Sequence, residues 1–225
     1  MSGPRDILTV IRAALAPHGL FLRGVVHFDE GDGPELKKGG CAAGVVLLGN
    51  AGGSLWPAFS AWRANNPDAA DPLDTWSKLL IRPLAESIGA QAFFPSDPPW
   101  QPFQQWAMRA EGLRASPLGI LIHPAYGLWH GYRAALAFAE PLPQVPAISG
   151  AHPCDTCLEK PCLTTCPVGA VSAARFDIAA CRRHLATGQA GCLASGCLAR
   201  TACPVGVDYR YPAAQLRFHM AALGL

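Results

Sequence analysis

The chain has 225 residues, enough for one large domain or two small ones, and half of them are apolar against 15% charged, so a real core can be buried. A net charge of +2 offers no basic excess to argue for a nucleic-acid partner. Apolar runs such as Ala42–Leu48 fall well short of the roughly 20 residues of a membrane span. The opening "MSGPRDILTVIRAALAPHG" lacks a basic stretch followed by an apolar one, so a cytoplasmic rather than a secreted protein is expected.

In chain order, Ile7, Ile11 and Leu15 recur at helical spacing and stop at Pro17 and Gly19. "LFLRGVVHF" and "CAAGVVLLG" read as strands, and the polar, Gly-rich "DEGDGPELKKGG" between them predicts an antiparallel pair. "SLWPAFSAWRAN" puts Trp56, Phe59 and Trp62 on one helical face, expected in the core. "DPLDTWSKLLIRPLAESIG" is a strongly marked helix, with Asp71 as N-cap, Pro72 in the first turn, Gly89 as C-cap and Pro83 as a kink point. "AQAFF" predicts a short strand. "QPFQQWAMRAEG" predicts a helix, and Trp100, Phe103 and Trp106 read as a core stripe. "LGILIH" and "YRAALAFA" read as a final pair of strands around a tight centre. This is an α+β pattern: an antiparallel sheet with helices, followed by a small cysteine-rich domain. The stretch "PLPQVPAISGAHP", with four prolines and no periodicity, sets the boundary, giving domains 1–146 and 147–225.

Eight of the nine cysteines lie between Cys154 and Cys203. A disulfide-stapled secreted protein spreads its cysteines more evenly, so the clustering argues for metal. The region is an imperfect repeat: "CLTTCPVGAV" and "CLARTACPVGV" each end in Cys-Pro-Val-Gly. The spacings are Cys154-x2-Cys157-x4-Cys162-x3-Cys166-Pro and Cys181-x10-Cys192-x4-Cys197-x5-Cys203-Pro. Short spacers let one loop wrap three corners of an iron–sulfur cubane, and in bacterial two-cluster ferredoxins the cysteine before proline ligates the other cluster. The same crossing here assigns Cys154, Cys157, Cys162 and Cys203 to one [4Fe–4S] cluster and Cys166, Cys181, Cys192 and Cys197 to a second, with none of the eight left over. Structural zinc is the competing reading; it favours paired C-x2-C knuckles, which only Cys154 and Cys157 supply. Cys41 reads as a small buried strand residue. The basic run Arg182, Arg183 and His184 beside Cys181 reads as a solvated face or a dock for an acidic, low-potential electron donor protein.

The stretch "GILIHPAYGLWHGYRAALAFAEPLPQVP" resembles the segment around the Ile-His-Pro-x-aromatic-Gly-x-Trp motif of the CblC-type cobalamin-processing family, through Ile122, His123, Pro124, Tyr126, Gly127, Trp129 and Arg133. "DPLD" and "AAGVVLLGNAGGSLWPAFSAW" resemble that family's helix start and its second strand and helix. The resemblance implies a flavin-reductase-like α+β fold holding base-off cobalamin in a cleft, with room for a flavin and for homodimer pairing. It points to His123, Tyr126, Gly127, Trp129 and Arg133 as corrinoid contacts. "CDTCLEKPCLTTCPVGAV" with "FDIAACRRHLA" is similar to the ferredoxin module of epoxyqueuosine reductases and reductive dehalogenases, in which an isolated cysteine, matching Cys181, joins the second cluster. Ala125 stands where animal CblC-type proteins carry an Arg associated with glutathione-dependent dealkylation, so thiol use is not expected. The sequence has no Asp-Tyr-His, the acidic proton-donor context of epoxyqueuosine reductases, and 22 residues after Cys203 are too few for their helical-repeat end.

Together these point to an oxidoreductase, a cytosolic corrinoid reductase or upper-ligand-removing enzyme with its own two-cluster relay. The alternatives are a non-enzymatic cobalamin carrier or ferredoxin adaptor, and an epoxyqueuosine-reductase-like enzyme.

Overall fold

The structure is a computed structural model that describes residues 6–146, 150–187 and 191–223. In chain order its larger elements are α1 (Ile7–Leu15), β1 (Phe21–His27), β2 (Gly44–Ala51), α2 (Trp56–Asn65), α3 (Pro72–Ser87), β3 (Gln91–Phe93), α4 (Phe103–Glu111), β4 (Arg114–Ala115), β5 (Leu121–Ile122) and β6 (His130–Phe138). Then come α5 (Pro153–Thr156), α6 (Ile178–Ala186), α7 (Gly191–Ser195), α8 (Leu198–Thr201) and α9 (Ala213–Leu223). None of the described helices is long and apolar enough to cross a membrane. The fold is mixed α+β with open sheets, a four-stranded one in the order β1-β2-β6-β3 and a two-stranded one of β4 and β5.

The chain forms two compact units, and they are not two consecutive blocks. The first runs through Asn50, continues over Ser54–Gly112, and resumes at Gly131 for the rest of β6 and the proline-rich segment. The second takes Ala51–Gly53, Leu113–His130 and the cysteine-rich chain. The boundary expected after residue 146 abuts residues 147–149, which lie outside the described residues. A break in periodicity marks where the chain loses regular structure; it does not register that Leu118, Ile122 and Leu128 pack against Val171, Ala199 and Cys203.

In the first unit β1 and β2 pair antiparallel, as the loop between them predicts, from Phe21 opposite Gly49 to His27 opposite Gly44, with an irregularity at Leu22–Gly24. All eight residues of β2 are buried, which its near-continuous apolar run requires of a central strand. Gly49 is glycine for a reason: a Cβ there would lie 2.0 Å from the carbonyl oxygen of Gly131. "YRAALAFA" does not pair with "LGILIH"; β6 sits between β2 and β3, whereas β5 pairs with β4 through Arg114–Ile122 and Ala115–Leu121. Strand propensity is local, but partner choice depends on which faces can be buried together.

The helices follow their apolar stripes with small shifts. Leu8, Ile11 and Leu15 are the buried face of α1, and the Asp6 carboxylate caps it by accepting from the Leu8 amide at 3.2 Å. Phe59 is fully buried in α2, against Trp56, Trp62 and Trp76. α3 runs through Pro83 without ending there. Asp71 precedes α3 in a left-handed conformation, φ 40°, and its side chain makes no capping bond. Trp100 lies outside the expected stripe, 77% exposed, whereas Phe103 and Trp106 are buried.

A buried polar network ties four elements of this unit together, β1, β2, α4 and β6. Arg23 of β1 donates from Nε and Nη2 to the two carboxylate oxygens of Glu111 on α4, at 2.9 and 2.8 Å. Its third arm donates to the carbonyl of Asn50 at 3.1 Å, and the Tyr132 hydroxyl of β6 donates to Glu111 at 2.7 Å. The side chains of the pair are 1% and 3% exposed. Burial raises the Glu111 carboxyl above its usual range, while Arg23 and the Tyr132 hydroxyl pull the other way. Gly24 permits the close approach of α4, since a Cβ would lie 2.9 Å from that of Ala110. Glu111→Ala is therefore expected to strand the guanidinium and cost about 3–5 kcal/mol, read as a lowered midpoint in urea unfolding.

The second unit has two small apolar centres. Leu118, Ile122, Leu128, Val171, Ala199 and Cys203 form one; Leu185, Cys192 and Met220 form the other, where α9 packs on α7.

Candidate metal centres

The eight clustered cysteines gather as two sets of four; the first apolar centre packs on Cys154, Cys162, Cys166, Cys197 and Cys203, the second on Cys181, Cys192 and Cys197. Cys154, Cys157, Cys162 and Cys203 line one hollow of about 480 Å³, counting space continuous with solvent, together with Leu118, Leu128 and Pro204. Cys166, Cys181, Cys192 and Cys197 line another of about 350 Å³, with Phe176, His184 and Leu185. These are the same two groups that the crossing rule draws from the spacings. All nine cysteines are free thiols. Cys41 is apart from both sets, half-buried in the first unit in a bridge with Glu35, rather than fully buried in a strand.

Local sequence explains how the sulfurs are presented. Each Cys-Pro-Val-Gly copy closes a turn with glycine at positive φ, Gly169 at +61° and Gly206 at +72°. Proline fixes the backbone after the cysteine, and glycine accepts the left-handed conformation that completes the turn. The turn aims amides back at its own sulfur: Ala170 N–H donates to Cys166 Sγ at 3.3 Å, and the Val205 amide faces the Cys203 sulfur. The amides of Ala199 and Arg200, at the start of α8, do the same for Cys197. Cys181 is held on α6, which Asp177 caps by accepting from the Ala180 amide at 2.9 Å.

The thiols are costly to ionise as they stand. Burial raises Cys154 to about 11, and the neighbouring Cys203, Cys162 and Cys157 push it the same way. Cys162, Cys181, Cys197 and Cys203 are likewise raised, chiefly by burial. Four thiolates at one hollow need a cation among them, and this is the donor set of soft-metal chemistry. No group of three or more His, Cys, Asp or Glu among the described residues is arranged to hold a single metal ion.

Of the residues expected to contact a corrinoid, His123, Tyr126, Gly127 and Trp129 belong to the second unit and Arg133 to the first. His123 is 6% exposed, and its Nδ1 accepts from the amides of Ala125 and Tyr126 at 3.0 and 3.1 Å. Its ring stacks on Tyr126 at 4.0 Å, and Tyr126 meets the edge of Tyr209 at 4.8 Å. Gly127, at φ +57°, does permit close backbone approach, but to protein: a Cβ would lie 2.0 Å from the carbonyl oxygen of Val205. Trp129 is 0% exposed and packs within its own unit against Arg200 and Tyr211, leaving no face for a ligand. Arg133 belongs to the first unit, where it pairs with Asp74 at 3.6 Å and donates to the Tyr132 carbonyl. Within the second unit, protein groups supply the near contacts of His123, Gly127 and Trp129. Arg182 and Arg183 are exposed on α6, and His184 lines the second hollow.

Sequence reasoning passed over Arg200 and the Arg23–Glu111–Tyr132 network. Nothing in a lone arginine or glutamate marks it as buried, so no local signal was there to find.

No family model matches the sequence, and no curated protein matches it. Solved structures do. A selenomethionine-labelled epoxyqueuosine reductase superposes with a TM-score of 0.51 at 14% identity, over 93% of this chain and 68% of that one. An epoxyqueuosine reductase with a tRNA-Tyr epoxyqueuosine-modified stem loop gives 0.50 at 15%, over 91% and 66%. The Bacillus subtilis epoxyqueuosine reductase gives 0.45 at 16%, over 76% and 51%. The chain thus has a fold similar to that of epoxyqueuosine reductases and spans about two thirds of the length of the two that superpose best among these.

Proposed function

We propose that this chain is an iron–sulfur oxidoreductase of the epoxyqueuosine-reductase type, in which two [4Fe–4S] clusters deliver electrons one at a time to a reductive reaction. The gathering of eight thiols as two sets of four around two hollows carries this reading. Structural zinc favours paired C-x2-C knuckles, which only Cys154 and Cys157 supply. The amides aimed at Cys166, Cys197 and Cys203 suit thiolates that carry a cluster, since such bonds tune its potential. When bound, the clusters supply reversible one-electron transfer at low potential. The chain supplies the thiolates, the amides and the apolar backing of Leu128, Val171 and Leu185, which limits water.

The similarity of fold supports an epoxyqueuosine-reductase-like reaction over corrinoid processing. One observation favours the second reading, in which the corrinoid is itself the substrate: the sequence lacks Asp-Tyr-His, the proton-donor context an epoxide reduction would use. His123, Gly127 and Trp129 contact protein groups within their own unit.

The test is metal analysis of oxygen-protected protein, followed by titration with cobalamin. About eight irons with matching sulfide support the proposal, and zinc overturns it. Base-off spectra on mixing, then Co(I) on adding dithionite, support a corrinoid-linked reductase. Turnover of an epoxyqueuosine nucleoside selects the first reading and turnover of cyanocobalamin or methylcobalamin the second. Cluster redox activity without corrinoid binding or turnover overturns the enzyme assignment in favour of a ferredoxin-like adaptor.

A further inference from the structure

We propose that Arg200 is a positioning residue for the redox chemistry, its fixed positive charge stabilising the reduced state of the clusters. The inference rests on the iron–sulfur reading above. Arg200 lies on α8, the four-residue helix that connects Cys197 of one set to Cys203 of the other. Its own amide faces the Cys197 sulfur, and its carbonyl accepts from the Cys203 amide at 3.2 Å. Its backbone is therefore wired to both sets of thiols.

The side chain is held as firmly. The guanidinium lies 4.4 Å from the ring centre of Trp129 and 4.7 Å from that of Tyr211. Its Nη2 donates to the carbonyl of Leu128, a residue that lines the first hollow. Trp129 is wholly buried and Tyr211 is 8% exposed, so the charge lies beside largely desolvated rings. Its Nε is buried and meets no acceptor. No carboxylate among the described residues forms an ion pair with it.

A cation in this position is expensive. Cation–π contact with two aromatic rings returns part of the cost, but a partly desolvated charge ordinarily finds a counter-ion. Clusters at the two hollows would be that counter-charge. A [4Fe–4S] core with four thiolates carries a net charge of about −2 when oxidised and −3 after accepting one electron. The electron comes from an external low-potential reductant. No bond forms or breaks at Arg200, and no proton moves, because a guanidinium stays charged at working pH. A fixed positive charge attracts the −3 state more than the −2 state, so it favours reduction. Arginine rather than lysine suits the place, since a planar guanidinium can lie against a ring while donating in its own plane to a carbonyl.

Potentiometric titration of the anaerobically purified full chain, followed by EPR with dithionite and mediators, tests this. Arg200→Gln is expected to weaken one-electron reduction of at least one cluster about tenfold, a downward shift of about 59 mV. Arg200→Lys, which keeps the charge, is expected to show less than half that shift. An unshifted potential in Arg200→Gln with iron content intact overturns the proposal. So does an equal shift in Arg200→Lys, which would mean that packing, not charge, is at work. If Arg200→Gln fails to retain iron, Tyr211→Leu is the second variant. It removes one of the two rings, lets water reach the guanidinium, and is expected to lower the potential in the same direction; no change there overturns the proposal. Wild-type protein without iron overturns the cluster reading itself, an outcome distinct from an iron-loaded variant with an unshifted potential.

Discussion

Serine in place of Cys203 is expected to cut bound iron from about eight atoms per chain to about four. It should abolish the same EPR signal that Cys154→Ser abolishes. Cys203 is the last cysteine of the chain and Cys154 the first of the clustered eight, yet both line one hollow with Cys157 and Cys162. Cys166→Ser should remove the other signal, although Cys166 is only four residues beyond Cys162, because it lines the second hollow with Cys181, Cys192 and Cys197. Iron and sulfide analysis with EPR of the four reduced proteins checks both halves. Loss of one signal in Cys154→Ser and of the other in Cys203→Ser would refute the interlaced arrangement and leave two sequential sites in its place.

Alanine at Gly206 is expected to be as damaging to the first centre as removing one of its ligands. Gly206 has φ +72°, and a Cβ there would lie 2.3 Å from the carbonyl carbon of Tyr126 and 2.5 Å from the Gly127 amide nitrogen. Both neighbours are backbone, so neither can turn aside. Left-handed strain alone costs of order 1–3 kcal/mol, and the clash adds to it. The Cys203 turn must then move off the turn formed by His123 to Gly127. Purified Gly206→Ala should show a melting temperature several degrees lower, with iron near half. The sister turn supplies the control. Gly169 has φ +61°, but nothing lies within 4 Å of a Cβ built there. Gly169→Ala should therefore carry only the conformational cost of about 1–2 kcal/mol and keep its full iron. Equal effects of the two alanines would mean that the contact between the 123–127 turn and Val205–Gly206 is not what holds Cys203 in place.

Much of the helical and strand content was legible in the residues. Ile11 and Leu15 of the expected α1 stripe (with Leu8 buried in place of Ile7), the proline and glycine bracketing α3, and the buried run of β2 are local signals, and local sterics and burial answer to them. The partner of β6 was not legible, because a short apolar strand pairs with whichever edge buries its faces. Nor was the membership of residues 113–130. The proline-rich break suggested that they belong with what precedes them, whereas Leu118, Ile122 and Leu128 complete the apolar centre behind Cys203.

The motif around His123 shows where reading residue types stops. A glycine flanked by aromatic residues signals close approach, without saying of what. Here it is Val205 that approaches Gly127, Arg200 and Tyr211 that cover Trp129, and two amides that occupy His123 Nδ1. A ligand and a distant segment of the same chain satisfy the same local pattern.

Spacing and chemistry by themselves determined that eight clustered thiols form two groups of four. Cysteines a few residues apart are tethered closely enough to converge, and the doubled Cys-Pro-Val-Gly turn repeats one way of presenting sulfur. Only the tertiary structure decided what surrounds them: the glycine-to-glycine crossing that seats Cys203, and the guanidinium of Arg200 against the rings of Trp129 and Tyr211. Those features arise between segments far apart in the chain, where burial and charge are set by neighbours the local sequence does not name.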